Sequence, residues 1–168
     1  MRIVLEFFLA LFLRTALWFR YRITIKGLDR LNPQTLNKPG GVLFLPNHPA
    51  AFVDATSITI ALWPKFRIRP MIVEYMYNLP IVNTVMRFLN ALPIPDFSVS
   101  SNSLKRKRNE QVTQAVITGL KQKENFLIFP AGRCKNTSYE ALDGASAVHR
   151  ILQESGETNV VLVRVKGT

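Results

Sequence analysis

The sequence predicts an α/β domain with a mostly parallel central sheet flanked by helices, preceded by an N-terminal apolar helix that associates with a membrane. Three observations carry this. The runs GVLFLP (41–46) and ENFLIFP (124–130) hold uninterrupted apolar stretches, as strands buried on both faces do. Segments with helical spacing alternate with the strand-like runs, the order that builds parallel sheets. Residues 3–19, IVLEFFLALFLRTALWF, are apolar apart from Glu6, Arg14 and Thr15.

The apolar segment is slightly short for a span of about 20 residues and carries two charges, which are costly at a bilayer centre. It lacks a small-residue cleavage site and is followed by Arg20, Tyr21 and Arg22, so a secretory signal fits poorly. A helix at the membrane interface is the better reading. Trp18, Phe19 and Tyr21 suit that zone, and Arg14, Arg20 and Arg22 can reach lipid phosphates. Residues 1–22 are therefore set apart from a domain over 23–168.

Residues 21–27 alternate apolar and polar, predicting a strand ended by Gly27. Pro33, Pro39 and Gly40 mark a loop before the 41–46 strand. A helix follows Pro49, and Pro64 and Pro70 bracket a strand-like KFRIR. Residues 71–95 read as short helical pieces broken at Pro80 and Pro93. Val112, Val116, Ile117 and Leu120 share one face of a helix over 109–123. ASAVHRILQES reads as a helix stopped by Gly156, and NVVLVRV (159–165) as a last strand. The chain ends directly after that strand, so it is expected to be truncated or part of a longer protein.

Composition narrows the function classes. The 168 residues suffice for about one domain. The single cysteine, Cys134, excludes an intrachain disulfide, and with two histidines a Cys/His zinc site is not expected. The net charge is +11, and residues 1–108 hold 15 basic against 5 acidic side chains. An anionic partner is implied, and the first part of the chain should face it.

Two motifs carry chemistry. After the 41–46 strand comes Asn47-His48-Pro49 and then Asp54. Open α/β sheets bind ligands at the carboxyl ends of their strands, where this histidine would stand. A carboxylate on one imidazole nitrogen fixes the tautomer and leaves the other as a general base. The second motif is FLIFP followed by Ala131-Gly132-Arg133. A glycine lets backbone amides approach an anion, and an arginine grips phosphate bidentately. Each motif also has a plainer reading, a surface histidine beside a helix start and an ordinary strand-to-loop turn.

Together, Asn47-His48, Asp54 and Phe129-Pro130-x-Gly132 resemble the motifs of the glycerolipid acyltransferases, which include the lysophosphatidate and lysophospholipid acyltransferases. The resemblance covers nearly the whole chain. It implies transfer of a fatty acyl group from acyl-coenzyme A or acyl carrier protein to a hydroxyl of a lysophospholipid or glycerol phosphate. It makes His48 the base and Asp54 its orienting partner, and it places Asn47, Pro130, Gly132 and Arg133 at the substrate, with Lys105 or Arg106 as added phosphate ligands. No metal and no cofactor beyond the acyl donor is implied. The partners are membrane phospholipids, the donor and the acceptor, at a membrane-associated, cytoplasmic-face location. The apolar runs MIVEYMY and MRFLNAL are the candidate lining for the acyl chain. Five residues separate His48 from Asp54 where the family usually has four, and Ala131 replaces the usual glutamate. The FPAGR variant resembles acyltransferase domains fused to acyl-activating enzymes, so a fused or partner domain of that kind is a further expectation.

Other candidates rank lower. Gly144-Ala145-Ser146-Ala147 is a degenerate nucleophile elbow, and Ser146 more simply starts a helix. Cys134 lies between Arg133 and Lys135, which favours its thiolate, and His149 falls on a helix as a structural or solvent-facing residue. The run Lys105-Arg106-Lys107-Arg108 reads as a solvated helix start, a membrane-surface patch, a phosphate site or a nucleic-acid contact. Two rival functions remain beside acyl transfer: a non-catalytic lipid-binding relative and a basic nucleic-acid-binding domain. The apolar N-terminus and the absence of aromatics within the basic cluster argue against nucleic acid as a partner.

Overall fold

The computed structural model describes residues 15, 23–32, 34–47, 53–96, 102–131 and 146–166. Five strands form one sheet: β1 (Val42–Pro46), β2 (Arg69–Val73), β3 (Leu92–Ile94), β4 (Phe126–Leu127) and β5 (Asn159–Val163). Their order is β3-β2-β4-β1-β5, and every neighbouring pair is parallel. Parallel neighbours need crossovers, which the helices supply. Helix α1 (Val53–Phe66) joins β1 to β2. The short α2 (Glu74–Tyr77) and α3 (Pro80–Phe88) lie between β2 and β3. Helix α4 (Ser103–Lys121) leads to β4, and α5 (Ser146–Ser155) to β5.

Strand β1 is buried along its whole length. Its side chains alternate between two cores, as strand geometry requires. Val42 and Phe44 meet Ile58, Leu62 and Trp63 of α1 on one face. Leu43 and Leu45 meet Val116, Ile117 and Leu120 of α4 and Ile151 of α5 on the other. The register agrees. Leu43 pairs with Phe126 and Phe44 with Leu127, and each pair belongs to one core. The fold is thus three layers, with helices on both faces of the sheet.

Asparagines fix the strand starts. The Asn125 side-chain Oδ1 accepts from the Val42 amide at 2.8 Å, and its Nδ2 donates to the Phe66 carbonyl at 2.6 Å. Asn159 does the same for the 38–40 loop, accepting from the Lys38 amide and donating to the Lys38 and Gly40 carbonyls. Gly41 packs so closely beneath Glu124 that an added Cβ would collide with the Glu124 carbonyl oxygen.

Several expectations are corrected. Residues 23–26 form no strand, and Ile23 and Ile25 are exposed, because nothing in the described sheet pairs with them. Helix α1 runs through Pro64, whose missing amide leaves the Ile60 carbonyl without its helical donor, and Lys65 and Phe66 are helical rather than strand. The strand begins at Arg69 and contains Pro70. Pro80 opens α3 at its first turn instead of breaking a helix, and Pro93 lies within β3. Helix α4 starts six residues before the expected 109, at Ser103, because the Asn102 side chain caps it by accepting from the Lys105 amide at 2.9 Å. The expected apolar helix of 1–22 lies outside the described residues apart from Thr15. Among the described residues no helix is long and apolar enough to cross a membrane.

Helices α4 and α5 are clamped on their outer side by Arg150, which bonds Glu110 at 2.5 and 2.7 Å and Glu154 at 2.5 Å. Its hydrogen bonds hold both carboxyls below the ordinary glutamate range. Their stabilisation is complete at neutral pH and is lost as pH falls through their lowered folded-state values. Arg150→Met is expected to unfold at a slightly lower temperature than the parent at pH 7, with the gap closing in strong acid; a gap that stays constant with pH would refute the clamp. Gly41→Ala is expected to destabilise by about 3 kcal/mol, read from denaturant midpoints, because backbone rather than a side chain blocks the methyl.

Candidate active site

The chain leaves β1 and β4 in opposite directions. From β1 it crosses by α1 to β2, beyond β4; from β4 it crosses by α5 to β5, beyond β1. In doubly wound sheets, adjacent strands whose crossovers leave in opposite directions bound, at their carboxyl ends, the crevice where ligands bind. The segments that follow these strands are the two sequence motifs. Continuing the register of Phe44 with Leu127 sets Asn47 level with Pro130.

Asn47 is positioned by the sheet. Its amide N–H donates to the Val163 carbonyl at 3.3 Å, its Nδ2 donates to the Val165 carbonyl at 3.1 Å, and its Oδ1 accepts from the Val165 amide at 2.6 Å. The side chain thus continues the β1–β5 ladder one step beyond the strand and fixes where the chain leaves it. Asp54 stands in the first turn of α1 and is 3% exposed. A carboxylate so placed suits the positive end of the helix, and burial of its charge requires matching donors or cations. The Ile128 amide donates to the Phe44 carbonyl at 3.0 Å, so the chain stays joined to β1 one residue beyond β4. Ala131 is buried. His48, Gly132, Arg133 and Cys134 lie outside the described residues.

Lys105 and Arg106 stand further off. They follow β3, which is three strand spacings from β1, about 14 Å in the plane of the sheet. The Lys105 ammonium donates to the Asp96 carbonyl at 2.6 Å and ties down the β3–α4 connection. The runs expected to line an acyl groove divide between core and surface, with Tyr75 of the first run exposed. Met71 and Leu92 pack on the α4–α5 side, and Met86, Phe88 and Leu89 on the α1 side. Their apolar character reflects strand and helix burial, which a sequence cannot separate from groove lining. His149 is exposed on α5, as expected.

A cavity of about 420 Å³ opens at the opposite, amino edge of the sheet, among Trp63, Arg67, Arg69, Asn90, Lys123 and Glu124. Its polar groups have structural explanations. Helices α1, α3 and α4 all end there, and Arg67, Asn90 and Lys123 take the left-handed conformation that terminates each. Arg67 stacks on Trp63 at 4.2 Å, and Arg69 pairs with Glu124 at 2.5 Å. The two motifs lie at the other edge.

Sequence reading missed Ser57, one turn beyond Asp54 on α1. Its Oγ is buried and has no hydrogen-bond partner among the described residues. Nothing in the structure explains it, and an orphaned buried hydroxyl costs about 1–3 kcal/mol. Ser57→Ala is expected to raise stability by about 1 kcal/mol, measured as a denaturant midpoint shift. An unchanged or lowered midpoint would mean that the hydroxyl is satisfied.

The family model described as Acyltransferase matches residues 22–165. No curated protein and no solved structure matches the chain. The matched stretch spans the whole described sheet and both crevice motifs, and the chain belongs to the glycerolipid acyltransferase family.

Proposed function

We propose that this acyltransferase moves a fatty acyl group from acyl-coenzyme A or acyl carrier protein to a hydroxyl of a lysophospholipid or glycerol phosphate, at the cytoplasmic face of a membrane. The observation that supports it is the adjacency of β1 and β4, whose carboxyl ends carry the two motifs of the matched family into one crevice.

The reaction needs a base, an aligned acceptor and a place for oxyanion charge. His48 takes the proton of the acceptor hydroxyl, and Asp54 accepts a hydrogen bond from the second ring nitrogen. The hydroxyl oxygen forms a bond to the thioester carbonyl carbon. The carbonyl oxygen takes the negative charge and is stabilised by backbone amides at the crevice. The intermediate collapses, the carbon–sulfur bond breaks, and the departing thiolate receives the proton from the His48 imidazolium. Gly132 and Arg133 hold the acceptor phosphate. The two products are an ester and a free thiol, and no redox group enters the balance.

Ala131 favours one second reading. The family's usual carboxylate is replaced by a buried methyl, which suits a relative that binds lipid without turnover. A thiol-release assay separates the two. In mixed micelles with acyl-coenzyme A or acyl carrier protein and a panel of lysophospholipids and glycerol 3-phosphate, acceptor-dependent release is expected. His48→Ala and Asp54→Ala are expected to lower it by about 10²–10⁴-fold. Silence across the panel with intact liposome binding would replace the catalytic reading with the second.

A further inference from the structure

Helix α4 breaks a local rule at its start. Its first two turns carry Lys105, Arg106, Lys107 and Arg108, with no acidic residue in the first turn. The N-terminal end of a helix is the positive end of its dipole, so cations there are unfavourable. The same turn exposes Leu104, 71% accessible. Lys105 and Arg108 tie this helix start to its neighbours, but the exposed Leu104 gains nothing for the isolated fold, and such conflicts mark functional surface.

The neighbouring element also exposes apolar side chains beside a charged residue. Arg108 Nη1 bonds Glu74 Oε1 at 2.5 Å, which joins the start of α4 to the start of α2. Leu104 lies one turn before Arg108 on the same helix face. Beside Glu74, Tyr75 is 62% exposed, and Leu79, between α2 and α3, is 48% exposed. Three large exposed apolar side chains therefore lie on or next to the two helices that this ion pair joins. Lys105 to Arg108, set against Glu74 and Asp96, leave this corner with a net charge of +2. Helices α2 and α4 begin after the carboxyl ends of β2 and β3, so the corner lies on the same edge of the sheet as the crevice.

We infer that this corner, with Tyr75, Leu79 and Leu104 as apolar anchors and Arg106 and Lys107 as headgroup contacts, docks the carboxyl edge of the sheet onto an anionic lipid bilayer. Apolar side chains mixed with exposed cations fit a surface that is anionic outside and hydrocarbon beneath. An acidic protein would use the cations but leave the anchors without a hydrocarbon phase. The docking turns the crevice toward the membrane. It deepens the acyl-transfer reading and rests on it for the claim that the acceptor arrives from the bilayer without crossing water.

The test uses the full chain with Cys134→Ser and one environment-sensitive fluorophore on Leu79→Cys, on Leu104→Cys, or on Gln122→Cys. Gln122 lies at the far end of α4, about 27 Å from Leu104 along the helix. With vesicles of phosphatidylglycerol and phosphatidylcholine, emission from positions 79 and 104 is expected to shift to the blue and rise at least about twofold. Position 122 is expected to stay unchanged, and pure phosphatidylcholine to give a weaker response. The variant Tyr75→Ser/Leu79→Ser/Leu104→Ser, whose thermal unfolding checks its fold, is expected to need about tenfold more anionic lipid for half-binding. Probes at 79 and 104 that remain in water while the chain sediments with vesicles would overturn the inference, since binding would then run through residues 1–22. A response to soluble acyl carrier protein in place of vesicles would overturn it as well. Thiol release in micelles is scored separately. Water-bound probes with intact release remove the docking alone; inserted probes with no release in any assay remove the acyl-transfer reading alone.

Discussion

The structure depends on β1 being buried on both faces at once. Its four apolar side chains feed two cores, and each core is closed by helices from different parts of the chain. Burying each such side chain is worth about 1.5–3 kcal/mol, so this strand of five residues anchors both layers. Its neighbours on either side are parallel, and parallel partners arrive only through crossovers. The requirement to cover both faces therefore dictates that one crossover passes on each side. The divergence of those crossovers opens the crevice, so the geometry of the candidate site follows from the hydrophobic demand of β1.

The backbone polar groups around β1 are then completed by three asparagines. Asn125 and Asn159 act where strands begin, and Asn47 acts where β1 ends. An amide side chain offers a donor and an acceptor together, so one residue replaces a rung of the missing ladder. Because Asn47 spends its amide on Val165, the direction in which the chain leaves β1 toward His48 is set by β5, the last strand in sequence. Residues far apart in the chain thus share the placement of the motif.

The strands β1, β4 and β5 and helices α4 and α5 were legible because burial writes itself into apolar runs and helical spacing. The two motifs were legible because they follow such runs. The segment 65–95 was misread for one reason. Reading proline as a boundary at each of Pro64, Pro70, Pro80 and Pro93 misplaces the elements, because context decides its effect. It lies within the last turn of α1, is favoured in a first turn and is accepted in a strand where no partner needs its amide. Strands β2 and β3 were hidden in consequence. The Ser57 hydroxyl left no trace in the sequence, since a serine at mid-helix usually faces water or its own backbone. The supposed acyl lining shows a further limit, because apolar residues that pack inward and those that would face a ligand have the same composition.

The amino edge of the sheet gathers three helix ends, and at each the left-handed position is filled by Arg67, Asn90 or Lys123. Glycine would relieve backbone strain at all three. Two of them instead hold cations against partially negative helix termini. Stability at this edge is therefore partly electrostatic and sensitive to ionic strength, while Asn47, at the carboxyl end of β1, is held by backbone and amide hydrogen bonds that salt scarcely affects. Raising salt would loosen these helix ends before it disturbed the Asn47 clamp, so the two ends of β1 answer to different solution variables.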